Sequence, residues 1–181
     1  IPEEYGGNGL GFLAHVLISE EIARVHSAIR VYLNMQAGPG VTLCEFGNEE
    51  QKKKYLPDLL SGKSIGLFAI TEPDTGSDMA AMKTTAKRGS TGFLLNGTKI
   101  WITNATVADS GVIFAYTDRA RKQHGMSAFI VDLNQPGLSR RDLDKLGAHA
   151  SPTGELTFDN FLIPEDNLNG NEGDGFKICM R

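Results

Sequence analysis

Cysteine, tryptophan and an excess of either charge are all scarce in this chain, and each scarcity removes a class of protein. The 181 residues include two cysteines, Cys44 and Cys179, and a single tryptophan, Trp101. The cysteines match no metal-ligand spacing and are expected to be two buried free thiols of a reducing compartment. A formal net charge of −4 offers no general attraction to nucleic acid or to an anionic membrane. No apolar run approaches the roughly 20 residues of a membrane-spanning helix, and no internal repeat is visible. The glycine loops of common nucleotide sites, G-x-G-x-x-G and G-K-[ST], do not occur at the one candidate turn. What is present is an ordinary globular composition, 40% hydrophobic and 22% charged, enough for one domain or two small ones.

The periodicity changes along the chain. After a glycine-rich entry loop, an apolar stripe of Ile18, Ile22, Val25, Ile29 and Leu33 predicts one helix from Phe12 to about Gln36. Gly38-Pro39-Gly40 is expected to break it, with a second helical section from Val41 to Phe46. Asn48 followed by Glu49, Glu50 and Gln51 reads as an N-cap with an acidic first turn, for a helix to Tyr55. One more short turn follows through Leu60.

From Ser64 onward strand patterns dominate. They comprise Ile65–Ile70, a hairpin of Thr84–Arg88 and Phe93–Asn96, then Lys99–Thr103, Gly111–Tyr116, Ser127–Asp132 and Glu155–Phe158. Asn96-Gly97 is expected to be a tight turn. The reading is α+β: residues 1–63 helical, 64–170 an all-β domain, and 171–181 the start of another helix. The chain opens on Ile1-Pro2 without an initiator Met and closes on the helical pattern Phe176–Arg181, so both ends read as cut.

Two segments carry candidate chemistry. Ala69-Ile-Thr-Glu-Pro-Asp-Thr-Gly-Ser-Asp78 leaves a buried strand for a Gly/Ser turn. Such a turn can offer backbone N–H groups and hydroxyls to phosphate or carbonyl oxygens, and it can equally be a plain loop. Trp101-Ile-Thr-Asn104 ends a strand, where the indole either fills a sandwich core or lies flat on an aromatic cofactor.

Taken together, the two segments resemble the acyl-CoA dehydrogenase signature and the tryptophan motif that follows it. Ile1–Gly7, Gly47–Gln51 with Lys54–Pro57, Leu95–Lys99, Ser127–Ile130, Lys145–Gly147 and Pro164–Asn167 continue the likeness over essentially the whole chain. Thr75 departs from it, standing where Ala, Ser, Asn or Gly is usual. The resemblance implies an N-terminal helical domain, a barrel-like middle β domain, and a C-terminal helical bundle that is missing here.

It further implies FAD held by Phe68, Ile70, Thr71, Gly76 and Ser77, with Trp101, Ile102 and Thr103 meeting the isoalloxazine and Ser77 touching the acyl-CoA. The reaction implied is α,β-dehydrogenation, with a Glu base in the bundle and therefore no catalytic residue among these 181. Glu72 and Asp78 are not nominated for that role. Electron-transferring flavoprotein is the implied acceptor and a homotetramer the implied assembly. The implied setting is a bacterial cytoplasm, with the mitochondrial matrix as the other. The 181 residues alone should hold FAD weakly or not at all and be inactive.

Arg30 is the substrate clue. It lies off the apolar stripe, on a face with Ser19, Ala23, Ser27 and Asn34. In the glutaryl-CoA dehydrogenases that the segment resembles, the matching Arg grips the substrate's distal carboxylate, a task suited to a planar, always-charged guanidinium. Ala23 and Val31 stand where decarboxylating members have Glu and Ser, which implies a non-decarboxylating enzyme stopping at glutaconyl-CoA. His149, where many relatives have Arg, fits that subgroup but also reads as an ordinary loop residue, and His15, His26 and His124 lack evident partners. The alternatives are a dehydrogenase for a cyclic, branched or short-chain acyl-CoA, an acyl-CoA oxidase, and a non-catalytic ligand-binding β domain.

Overall fold

The structure, a computed structural model, describes residues 1–181. Three helices come first: α1 (Phe12–Val25), α2 (Ser27–Phe46) and α3 (Glu49–Leu60). Asn48 begins α3 as expected, its side chain accepting from the Gln51 N–H at 2.8 Å while Gln51 Oε1 accepts from the Asn48 N–H at 3.1 Å. This reciprocal box satisfies two N–H groups that the first turn leaves unpaired.

The strands that follow are β1 (Gly66–Ala69), β2 (Thr85–Arg88), β3 (Gly92–Thr103), β4 (Ser110–Tyr116), β5 (Met126–Asp132), β6 (Leu138–Asp142), β7 (Thr153–Pro164) and β8 (Leu168–Asn169). They form one mixed sheet in the order β6-β7-β3-β2-β4-β5-β8, with β1 running parallel beside β4. A short helix, α4 (Gly175–Cys179), closes the chain. The helix-then-strand order and α+β class thus hold.

Why β4 and β5 are apolar almost throughout follows from the layers around them. Ile113, Ala115, Phe129 and Val131 face a core enclosed by the strands, with Leu67, Phe93, Leu95, Phe158 and Phe161. The alternate residues Val112, Phe114, Ala128 and Ile130 face a second core against the helices, with Leu43, Leu56, Leu59 and Ile178. A strand buried on both faces loses the in–out alternation of a half-solvated one.

Five expectations are corrected. The first helix ends at Val25, because His26 is extended (φ −157°, ψ 105°), and α2 then runs through Gly38-Pro39-Gly40 to Phe46. Gly38 and the buried Pro39 let α2 sit close on β1: a Cβ at Gly38 would lie 3.7 Å from the Phe68 ring, and one at Gly66 3.3 Å from Pro39 Cγ. Gln36 ties the same junction, donating to the Leu59 carbonyl and accepting from the Gly66 N–H, both at 2.7 Å. Tertiary packing here outweighs local helix propensity.

Asn96-Gly97 is a bulge inside the continuous β3, not a turn, since the pairing with β7 slips between Leu95 and Gly97. Gly97 has φ +142°, and a Cβ there would lie 2.6 Å from Thr84 Oγ1. Helix α3 is continuous through Pro57 to Leu60. The thiols are free but only half-buried, and burial raises both above their ordinary pKa. Strands β6 and β8 were not foreseen: β6 is largely polar and β8 is two residues long.

Candidate functional site

The signature run leaves β1 at Ala69 and turns tightly. The Glu72 N–H donates to the Thr75 carbonyl at 2.9 Å and the Thr75 N–H to the Glu72 carbonyl at 3.1 Å. The turn buries Glu72 and Thr75 and exposes Gly76 and Ser77. A Cβ built on Gly76 meets nothing within 4 Å, so the backbone there faces open space. Phe68 and Ile70 pack at the margin of the helix-side core, and Phe68 meets the Phe114 ring edge-on at 5.0 Å.

The tryptophan segment is shaped by a second bulge in β3. Its register with β7 slips between Lys99 and Ile102, and Trp101 takes a left-handed backbone (φ +60°), unusual for a bulky residue. As a result Trp101 is 57% exposed, while Ile102 is buried in the strand core. The core-filling role open to the only tryptophan is therefore not the one it has. Ile102 can meet a ligand only through its backbone.

The two segments touch. The Ile100 N–H donates to the Thr71 carbonyl at 2.9 Å, which sets Thr71 beside the Trp101–Thr103 run. Neither the Thr71 nor the Thr103 hydroxyl has a hydrogen-bond partner within the chain, and both residues are half-buried. At the far end the buried Asn104, also left-handed (φ +65°), donates from Nδ2 to the Gly66 carbonyl at 2.9 Å. An exposed indole, two free hydroxyls and an open backbone at Gly76 suit a large planar ligand with a polar edge.

Beneath this surface is an ion pair that residue patterns did not point to. Lys99 Nζ lies 2.8 Å from Glu72 Oε1, with the side chains 0% and 4% exposed. The ammonium also donates to the Ile70 carbonyl at 2.9 Å, and Glu72 accepts from the N–H groups of Lys83 (2.5 Å) and Thr84 (3.0 Å). The signal available in the sequence was a Lys in a strand otherwise entering the core. Burial pushes Lys99 down to about 8, against the opposing pull of Glu72. For Glu72 burial acts upward, but the Lys99 charge and the hydrogen bonds outweigh it and hold the carboxyl below its ordinary value.

A carboxyl depressed in the folded state contributes stability above its unfolded pKa and loses it as the pH falls through the folded value. The unfolding free energy is therefore expected to drop as the pH falls below the ordinary range of a free Glu carboxyl. Glu72→Gln should flatten that slope. Urea unfolding of both proteins between about pH 3 and pH 6 checks it, and parallel slopes would refute it.

Arg30 lies elsewhere, exposed in a cleft of about 460 Å³ lined from α1 and α2 alone by Phe12, His15, Val16, Ser19, Glu20, Ala23 and Asn34. Ala23 and Arg30 do share this cleft, although through the crossing of two helices and not as two turns of one. Asn34 Oδ1 is buried there without a partner. Glu20 and His15 are additional titratable neighbours. His124, in a 3-10 helical segment, and His149, in a turn, are exposed and outside this cleft.

With this geometry in view, residues 1–63 match the acyl-CoA dehydrogenase N-terminal domain and residues 67–161 the middle domain of the same family. The chain belongs to the acyl-CoA dehydrogenase family. It is 50% identical to a glutaryl-CoA dehydrogenase of Desulfococcus multivorans over 99% of its length, covering 47% of that relative. It is also 43% identical, over its whole length and 44% of the relative, to the short-chain specific acyl-CoA dehydrogenase of Homo sapiens mitochondria.

Among solved structures, a glutaryl-coenzyme A dehydrogenase in complex with glutaryl-CoA superposes with a TM-score of 0.97 at 50% identity, over 99% of this chain and 46% of that one. An acyl-CoA dehydrogenase of Bacillus anthracis complexed with FAD gives 0.90 at 38% identity, over 99% and 31%. The chain thus spans about half or less of the relatives it matches. No helix is long and apolar enough to cross a membrane.

Proposed function

We propose that the complete protein is an FAD-dependent dehydrogenase that oxidises glutaryl-CoA to glutaconyl-CoA without decarboxylation. The observation that carries the flavin reading is the contact between Thr71 and Ile100, which sets two unpartnered threonine hydroxyls beside an outward-facing indole. FAD bound there supplies a hydride acceptor for the substrate β-carbon. Phe68, Ile70, Gly76, Ser77 and Ile102 would line it mainly through backbone. Thr71 and Thr103 would donate hydrogen bonds to its polar edge, and Ser77 would reach the acyl-CoA.

Such fixed donors favour the electron-rich reduced ring without reorganising during the reaction. A carboxylate base would come from beyond these 181 residues, in agreement with the greater length of the relatives. Electron-transferring flavoprotein as acceptor, a homotetramer, and a bacterial cytoplasm or mitochondrial matrix belong to the same proposal.

The substrate reading rests on Arg30, backed by the likeness to glutaryl-CoA dehydrogenase in sequence and in structure. Ala23 and Val31, both half-buried, give the carboxylate no charged or hydroxyl neighbour at these positions, which supports retention of the carboxyl group. A second reading, a monocarboxylic short-chain acyl-CoA, draws on Glu20, whose charge in the same cleft is able to neutralise Arg30. Turnover by the complete, yellow protein separates them. Glutaryl-CoA should be strongly preferred over butyryl-CoA with no CO₂ released. Preference for butyryl-CoA would overturn the dicarboxylate reading, and CO₂ release the non-decarboxylating one.

A further inference from the structure

The ion pair of Lys99 and Glu72 lies under the site without reaching its surface, and its hydrogen bonds tie together backbone from separate segments. One ammonium binds the residues on both sides of Thr71: the Ile70 carbonyl at 2.9 Å and Glu72 Oε1 at 2.8 Å. Thr71 is thereby fixed between two anchors, while its own carbonyl accepts from Ile100, the residue after Lys99. Lys99 is also the last β3 residue in regular register with β7 before the bulge that turns Trp101 outward. Glu72 extends the same connection to the Lys83–Thr84 backbone entering β2.

Buried ion pairs are weak stabilisers, since well-packed neutral residues often replace both partners without loss. What the ammonium supplies, and an apolar side chain of the same volume cannot, is three donors at one point that hold acceptors from separate segments. From these contacts we infer that Lys99 and Glu72 are a positioning pair, which sets the spacing between the Thr71 arm and the Trp101–Thr103 arm of the flavin site. The inference rests on the flavin reading above. It separates two properties that a merely structural pair would move together: stability of the fold, and the quality of the flavin site.

The test uses the complete protein and three variants, Glu72→Gln, Lys99→Met and the double variant Lys99→Met with Glu72→Gln. Three quantities are read: the thermal unfolding midpoint of the apoprotein, the Kd for FAD, and the two-electron reduction potential of the bound flavin. The double variant, which buries no charge, is expected to recover most of the midpoint lost in Lys99→Met. It should nevertheless bind FAD at least tenfold more weakly than wild type. Its potential should fall by about 30 mV or more, the equivalent of a tenfold weaker preference for the reduced flavin.

A double variant with wild-type FAD affinity and potential would overturn the inference. So would one whose FAD affinity declines only in step with its stability. Wild-type protein that takes up no flavin would instead overturn the flavin reading, and the positioning role with it.

Discussion

Lys99→Met is expected to cost the complete protein about 3–5 kcal/mol of stability, the penalty for removing one partner of a buried ion pair. Methionine nearly fills the lysine stem's volume, so the loss does not come from a cavity. It comes from Glu72, 4% exposed and deprived of its counter-charge. Its two remaining backbone donors, Lys83 and Thr84, compensate only in part.

The sign of the pH effect distinguishes this cause from simple mispacking. In the variant, burial without Lys99 raises the carboxyl above its unfolded pKa, so the folded state takes up a proton more readily. In wild type the same carboxyl is depressed. The gap between the two proteins should therefore narrow as the pH falls through the carboxylate range. Urea unfolding at several pH values measures it, and a gap that is small or independent of pH would sink the explanation.

Arg30→Gln is expected to lower kcat/KM for glutaryl-CoA by about 100-fold or more, near 3 kcal/mol, while changing the value for butyryl-CoA only slightly. The selectivity follows from the proposed contact. A distal carboxylate in the α1–α2 cleft loses its charged, bidentate partner, whereas a methyl terminus never had one. Arg30→Lys should fall between, because an ammonium keeps the charge without the planar fork. An Arg that only decorates the surface would be worth about 1 kcal/mol or less. A loss below about fivefold, or equal losses on both substrates, would assign Arg30 to that lesser role and favour the monocarboxylic reading that Glu20 supports.

Much of the architecture was readable from short-range patterns. The Asn48–Gln51 box begins its helix where its residues say it should, because capping depends on atoms within one turn. The apolar runs of β4 and β5 marked strands, because a strand covered on both faces needs side chains that avoid water at every position. Family membership was legible for a similar reason, in that the signature and the tryptophan segment are contiguous strings of residues.

Where local patterns and structure differ, contacts from distant segments decide the outcome. Gly38-Pro39-Gly40 looks like a helix stop in isolation, yet α2 continues through it, with Gly38 and Pro39 packed on β1 and Gly40 against Ile1. Asn96-Gly97 looks like a hairpin turn, yet β7 pairs along all of β3 and reduces it to a bulge. The extended His26 divides what the apolar stripe presents as one helix, and nothing in its immediate neighbours announces the break.

The sequence by itself therefore determined the helix-then-strand plan, the family, and the residues from which a flavin wall and a carboxylate anchor are proposed. Only the tertiary structure decided that Trp101 turns outward while Ile102 turns in, and that one buried lysine holds the backbone on both sides of Thr71. The reason is physical: caps and burial patterns act over a few residues. A β-bulge and a buried ion pair exist only once strands far apart in the chain have paired and excluded water.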